Sequence, residues 1–75
     1  MPDKALAESY VDADGRTHHV TVEQVRRSWV IYDDDGARKT PVDTVRNSPD
    51  GRQLVVGVAR EYIKQRDRSD TRNVA

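Results

Sequence analysis

Apolar positions in this chain fall in short alternating runs. "YVDADGRTHHV" (10–20) and "IYDDDGARKTPV" (31–42) each set Asp-Gly between extended-looking residues. Asp-Gly supplies the positive-φ turn that joins antiparallel strands. The pattern predicts strands over 6–12 and 16–21, then over 28–33 and 37–40. A second motif follows each hairpin. "VEQVRRS" (22–28) and "VDTVRNS" (42–48) agree at Val, acid, Val, Arg and Ser. Thr21 stands three residues before Gln24, the spacing of a capping box, and Thr40 precedes Pro41, a favourable first helical residue, with Asp43 three after the cap. Val22 and Val25, like Val42 and Val45, are spaced i, i+3. Each repeat therefore reads as a hairpin followed by a single helical turn. Two copies are too few for a solenoid, so the echo implies pseudo-symmetry within one sheet.

The longest periodic pattern lies in "DGRQLVVGVAREYIKQRDR" (50–68). Leu54, Val55, Val58, Ala59, Tyr62 and Ile63 form one stripe at helical spacing. Asp50 is placed to cap this helix, with Gln53 reaching back. Gly57 costs about 1 kcal/mol inside a helix, and Val55-Val56 favours a strand, so a fifth strand over 52–56 followed by a shorter helix is the alternative. The predicted architecture is α+β: a small antiparallel sheet of two pseudo-repeated hairpins with a C-terminal helix on one face. Residues 1–5 read as a flexible N-terminus, 6–68 as a single domain and 69–75 as a disordered tail.

"WVIY" (29–32) changes the picture. Trp29 and Ile31 point to one side of a strand, Val30 and Tyr32 to the other, and both sides are apolar. One helix covers one face. Leu, Ile and Val make up only 15 of 75 residues, Phe is absent, and mean hydropathy is −0.91, so little apolar material is left for the second face. A small domain of this kind buries only ~60% of its unfolded surface. A partner covering the second face is expected, with a homodimer the simplest version. The 13 basic and 13 acidic residues cancel, which separates the chain from disordered sequences of similar hydropathy.

No cysteine is present, which removes disulfides and thiolate metal sites. No run resembles a signal peptide or a membrane span, so a cytoplasmic protein without a membrane partner is expected. "DADG" and "DDDG" lack the alternating acids and terminal Glu of a calcium loop and read as hairpin turns. His18 and His19 are adjacent, so on a strand they point to opposite faces and do not share a metal. Either one could still meet an acid across strands. There is no phosphate-binding loop or dinucleotide fingerprint. The expectation is a protein that is not an enzyme and needs no metal and no small-molecule cofactor.

Ten of the 13 basic residues are arginine. Arg26, Arg27 and Arg46 fall in the repeated motif, and Trp29 and Tyr32 are the aromatic neighbours of its first copy. Interface energy concentrates on aromatics and arginine. Trp29 and Tyr32 are therefore expected to anchor a partner protein, or a second copy of the chain, with Arg26, Arg27 and Arg46 orienting it. The function expected is protein–protein binding of a regulatory or inhibitory type.

Two motifs resemble known families. "SWVIYDDDGARKT" (28–40) resembles the sheet-type arm-binding domain at the start of many phage and transposon integrases, through Trp29, Tyr32, Asp33, Gly36, Arg38 and Lys39. Such domains lay a three-stranded sheet in the major groove. The resemblance implies nucleic-acid contacts from Arg38 and Lys39, with Trp29 supporting the sheet, and Arg16 follows the first turn in the place equivalent to Arg38. "VRNSPDGRQL" (45–54) is similar to the centre of a family of small bacterial domains encoded beside helix-turn-helix regulators, through Val45, Arg46, Ser48, Pro49, Asp50, Gly51 and Leu54. That likeness implies a regulatory partner. DNA binding is the alternative to the protein-binding reading.

Overall fold

The computed structural model describes residues 4–68. Four strands, β1 (Lys4–Val11), β2 (Thr17–Val25), β3 (Ser28–Asp34) and β4 (Lys39–Arg46), precede one helix, α1 (Gly51–Arg66). The sheet is an antiparallel meander in the order β1-β2-β3-β4, with α1 packed on one face. The α+β architecture expected from the sequence is the one observed, and 52–56 belongs to the helix. β1 begins at Lys4, inside the segment read as a flexible N-terminus. Residues 1–3 and the tail 69–75 lie outside the described residues.

Both Asp-Gly turns form as expected. Gly15 (φ +83°) and Gly36 (φ +93°) take the left-handed backbone that glycine adopts without strain. Asp12 Oδ1 accepts from the Asp14 and Arg16 amides at 2.9 and 3.0 Å, and Asp35 Oδ1 from those of Ala37 and Arg38, both at 2.9 Å. The aspartates thus stabilise turns.

The helical turns expected after each hairpin do not exist. "VEQV" continues β2 to Val25, and "PVDTVR" continues β4 to Arg46. Valine and threonine lose rotamer freedom in a helix and fit a pleated surface. Val22 pairs with Ile31 across the sheet, an interaction no isolated turn supplies. Pro41 sits on the edge strand beside the register shift opposite Ile31 and Tyr32, where a missing N–H costs least. β2 and β3 are joined by Arg26 and Arg27 alone, closed by the Val25–Ser28 pair. Arg26 takes φ +56° there, without a glycine to relieve it.

The core follows strand alternation. Leu6 and Tyr10 of β1, Val20 and Val22 of β2, and Trp29 and Ile31 of β3 are buried, facing Val55 and Ala59 of α1. Full burial of a side chain such as Ile31 is worth roughly 1.5–3 kcal/mol. Trp29 is 4% exposed, and its Nε1–H donates to Asn47 Oδ1 at 3.2 Å. On the opposite face Val30 and Tyr32 are half-buried. The Lys39 ammonium lies 4.7 Å from the Tyr32 ring centroid and 2.7 Å from Glu23 Oε2, so an ion pair rather than an apolar layer lies over that tyrosine. Asp50 occupies the cap position of α1 without a side-chain cap bond.

α1 can approach the sheet because Gly51 carries no side chain. A Cβ there would stand 2.7 Å from the Arg46 carbonyl oxygen and 3.4 Å from the Trp29 ring. Gly51→Ala is expected to cost about 1–3 kcal/mol, read as a lower urea midpoint with an unchanged slope.

Candidate functional site

The meander sorts the turns to two ends. The β1–β2 and β3–β4 turns share one end; the β2–β3 turn and the β4–α1 link share the other. Asp12, Asp14, Asp34 and Asp35 collect at the first end and Arg26, Arg27 and Arg46 at the second. Arg16, Arg38 and Lys39 stand among those aspartates, so what net neutrality conceals is an excess of positive charge at the second end.

At the acidic end, a polar cluster closes the core. Asp33 is in phase with Trp29 and Ile31, points inward and is 8% exposed. Its Oδ2 accepts from the Tyr10 hydroxyl at 2.8 Å and the Tyr62 hydroxyl at 2.5 Å. Its Oδ1 is 2.6 Å from His18 Nδ1, and the other ring nitrogen, Nε2, is 2.6 Å from Asp12 Oδ2. A ring with both nitrogens facing carboxylates donates from both, which is the imidazolium form. The Tyr10 ring stacks on it at 4.7 Å between centroids, 13° from parallel. Burial alone would lower the His18 pKa, but the bonds to Asp33 and Asp12 reverse this and raise it. Burial would raise that of Asp33, yet the bonds from Tyr62, His18 and Tyr10 bring it below the ordinary range. The His18 bond, followed by the Arg16 amide, lowers that of Asp12. Burial and then the bond to Asp33 push both tyrosines up.

His18 and His19 do point to opposite faces: His18 lies partly buried in this cluster and His19 is exposed. The acid met across strands is Asp33. The signal was alternation: Tyr10 is in phase with Leu6, His18 with Val20 and Val22, and Asp33 with Ile31. Among the described residues no cluster of His, Cys, Asp or Glu suits a metal ion.

At the basic end, the Asn47 amide donates to the Arg27 carbonyl at 2.9 Å, and Arg46 pairs with Ser28. These bonds bring together Arg26, Arg27 and Arg46, three of the five residues expected to meet a partner, around an open concavity of about 490 Å³ lined also by Ser28 and Asn47. Trp29 lies beneath it in the core, with the Arg52 guanidinium 6.0 Å from its ring centroid. Tyr32 lies on the open sheet face under Lys39, apart from the arginines.

The residues expected to contact nucleic acid stand among carboxylates. Arg16 Nη1 is 3.5 Å from Asp35 Oδ2, and Lys39 pairs with Glu23. Arg38 lines a hollow of about 230 Å³ with His18, Asp33, Asp35 and Tyr62.

A third surface had no counterpart in the sequence reading. Every β4 residue except Val45 is exposed. A trough runs between β4 and α1: Val42 lines one hollow with Tyr62, and Asp43, Val58, Glu61, Tyr62, Gln65 and Arg66 line the next, of about 340 Å³. Leu54 continues the Val58 side of the helix one turn earlier.

The chain matches no protein-family model, no curated protein and no solved structure. The two family likenesses therefore rest on their short motifs alone.

The cluster makes stability depend on pH in a defined way. His18 holds its proton more tightly in the fold, so its contribution is complete below the unfolded value of 6.5 and is lost as pH rises through the higher folded one. Asp12 and Asp33 release theirs more readily, so their contribution is complete above 3.8 and is lost as pH falls through the lower folded values. Tyr10 and Tyr62 add a loss only above 10.0. Melting temperature is expected to be highest on the plateau between the Asp and His values and to decline on either side. His18→Gln should flatten the decline between neutral pH and the onset of tyrosine ionisation. A wild-type melting temperature that climbs from neutral into alkaline pH would show that His18 is not held as an imidazolium.

Proposed function

We propose that this protein is a non-catalytic, cytoplasmic protein–protein interaction module of regulatory or inhibitory type, dimeric, with the trough between β4 and α1 as its contact surface. One observation carries the reading. Among the described residues, two of the four exposed large apolar side chains line this trough, Val58 at 38% and Val42 at 37%, and a third, Leu54 at 57%, lies one turn before Val58 on the same side of the helix. In a chain with so few apolar residues, such a concentration marks an interaction site better than scattered exposure does.

His18 supports the non-catalytic part, since both of its ring nitrogens are engaged by carboxylates. Among the described residues no helix is long and apolar enough to cross a membrane. The DNA-binding alternative gains no support from Arg16 and Lys39, which are paired with acids.

Solution mass tests the proposal. Light scattering at micromolar concentration is expected to give twice the chain mass for the wild type and a single chain mass for the double variant Leu54→Arg, Val58→Arg. Because both side chains are exposed, the folded circular-dichroism spectrum should be retained. In that monomeric background Gly57→Ala, whose methyl group would meet nothing beyond its own helix, should add about 1 kcal/mol of stability. A wild type that stays monomeric, or a double variant that stays dimeric, would remove the trough from consideration.

A further inference from the structure

The geometry points to the basic concavity as a binding site for a phosphate monoester or free phosphate: a dianionic phosphoryl group held by Arg26, Arg27 and Arg46. This site is separate from the trough and does not depend on it.

The first support is the absence of internal partners. Arg16, Lys39 and Arg60 each form an ion pair within the chain. Among the described residues none of the three arginines at the basic end does so, and the wall of the concavity contains no carboxylate. What the wall offers is donors. Asn47 Oδ1 is occupied by the Trp29 indole, which leaves the amide Nδ2–H groups, and Ser28 contributes a hydroxyl. Three arginines and these neutral donors line one open volume in a chain of zero net charge.

The second support is the backbone. The β2–β3 turn has only two residues, and its first position, at φ +56°, is arginine. Left-handed backbone costs an L-residue about 1–2 kcal/mol, and glycine or asparagine is the ordinary occupant of such a position. Strain of this kind gathers at ligand clamps. Here it sets an arginine at the lip of the concavity, and the Asn47–Arg27 backbone bond straps the second arginine-bearing segment against the turn.

The choice of anion follows from charge and shape. A carboxylate offers two oxygens and one charge, so one fork satisfies it. A phosphate monoester carries about −1.5 to −2 at neutral pH and three acceptor oxygens, which match several forks at once. An internal phosphodiester carries a single charge and two free oxygens, a poorer match.

Amide chemical-shift titration of the full chain decides the matter, at constant ionic strength set with chloride. The probes are inorganic phosphate and a peptide containing O-phosphoserine. Saturable shifts are expected at Arg26, Arg27, Ser28, Arg46 and Asn47, with the Asp-Gly turns unmoved. A tighter fit for the peptide would identify a protein-borne phosphate as the source, and equal or tighter binding of inorganic phosphate a small-molecule source. Arg46→Lys keeps the charge and loses the fork, so binding should weaken about tenfold. Arg26→Gly should act in opposite directions on two readouts, raising the melting temperature by a few degrees while weakening phosphate binding several-fold. Shifts that do not saturate, or that chloride reproduces, would overturn the assignment. So would an Arg46→Lys variant that binds as well as the parent, or single-stranded DNA binding at these residues when neither phosphate probe does.

Discussion

One buried carboxylate holds the parts of this protein together. Asp33 lies at the inner end of β3, where an unpaired charge would cost several kcal/mol. It is paid for by the Tyr10 hydroxyl from β1, the His18 ring from β2 and the Tyr62 hydroxyl from α1. Each of those groups reaches Asp33 only when its own element is in register, so the cluster links three strands and the helix. His18 extends the link to Asp12, which also shapes the β1–β2 turn. With eight buried apolar residues in the core among the described residues, a charge network that works in one arrangement adds specificity that apolar packing alone leaves weak.

A meander places alternate turns at opposite ends, and here Asp12, Asp14, Asp34 and Asp35 share one end with Arg16 and Arg38, while Arg26, Arg27 and Arg46 meet at the other. Arg16 and Lys39 are neutralised by carboxylates on or near the acidic end and the sheet face. Among the described residues Arg26, Arg27 and Arg46 form no ion pair, and the concavity they line contains no carboxylate. The repeated motif thus has a structural outcome and a chemical one: its valines lie in strands, and its arginines meet where those strands finish.

The position of α1 explains the third surface. The helix starts from the end of β4 but leans over β1, β2 and β3, where Leu6, Val20, Val22 and Ile31 receive Val55 and Ala59. Arg60 reaches Glu8 on β1 at 3.9 Å, which marks the side toward which the helix is displaced. β4 is left with Val45 as its single half-buried contact with the core, and Leu54, Val58 and Val42 remain exposed beside it. On the second face of the sheet, by contrast, the Glu23–Lys39 ion pair lies over Tyr32.

Local chemistry in the sequence was enough to indicate both Asp-Gly turns, four antiparallel strands and a helix toward the C-terminus, because positive-φ turns and apolar periodicity act over a few residues, but it left 52–56 open between strand and helix. It also separated His18 from His19. Tertiary structure decided the rest. Val22 and Val25, or Val42 and Val45, suit a helical turn as well as a strand until a neighbouring strand supplies hydrogen bonds, and the Arg26-Arg27 turn lacks the residues that announce one. Trp29 is in the core because α1 lies over it, a fact about packing between segments distant in sequence. The Asp33 cluster, the arginine concavity and the trough each join side chains from several elements. Such sites exist only once register and helix placement are set, and those are settled by burial and pairing over the whole chain.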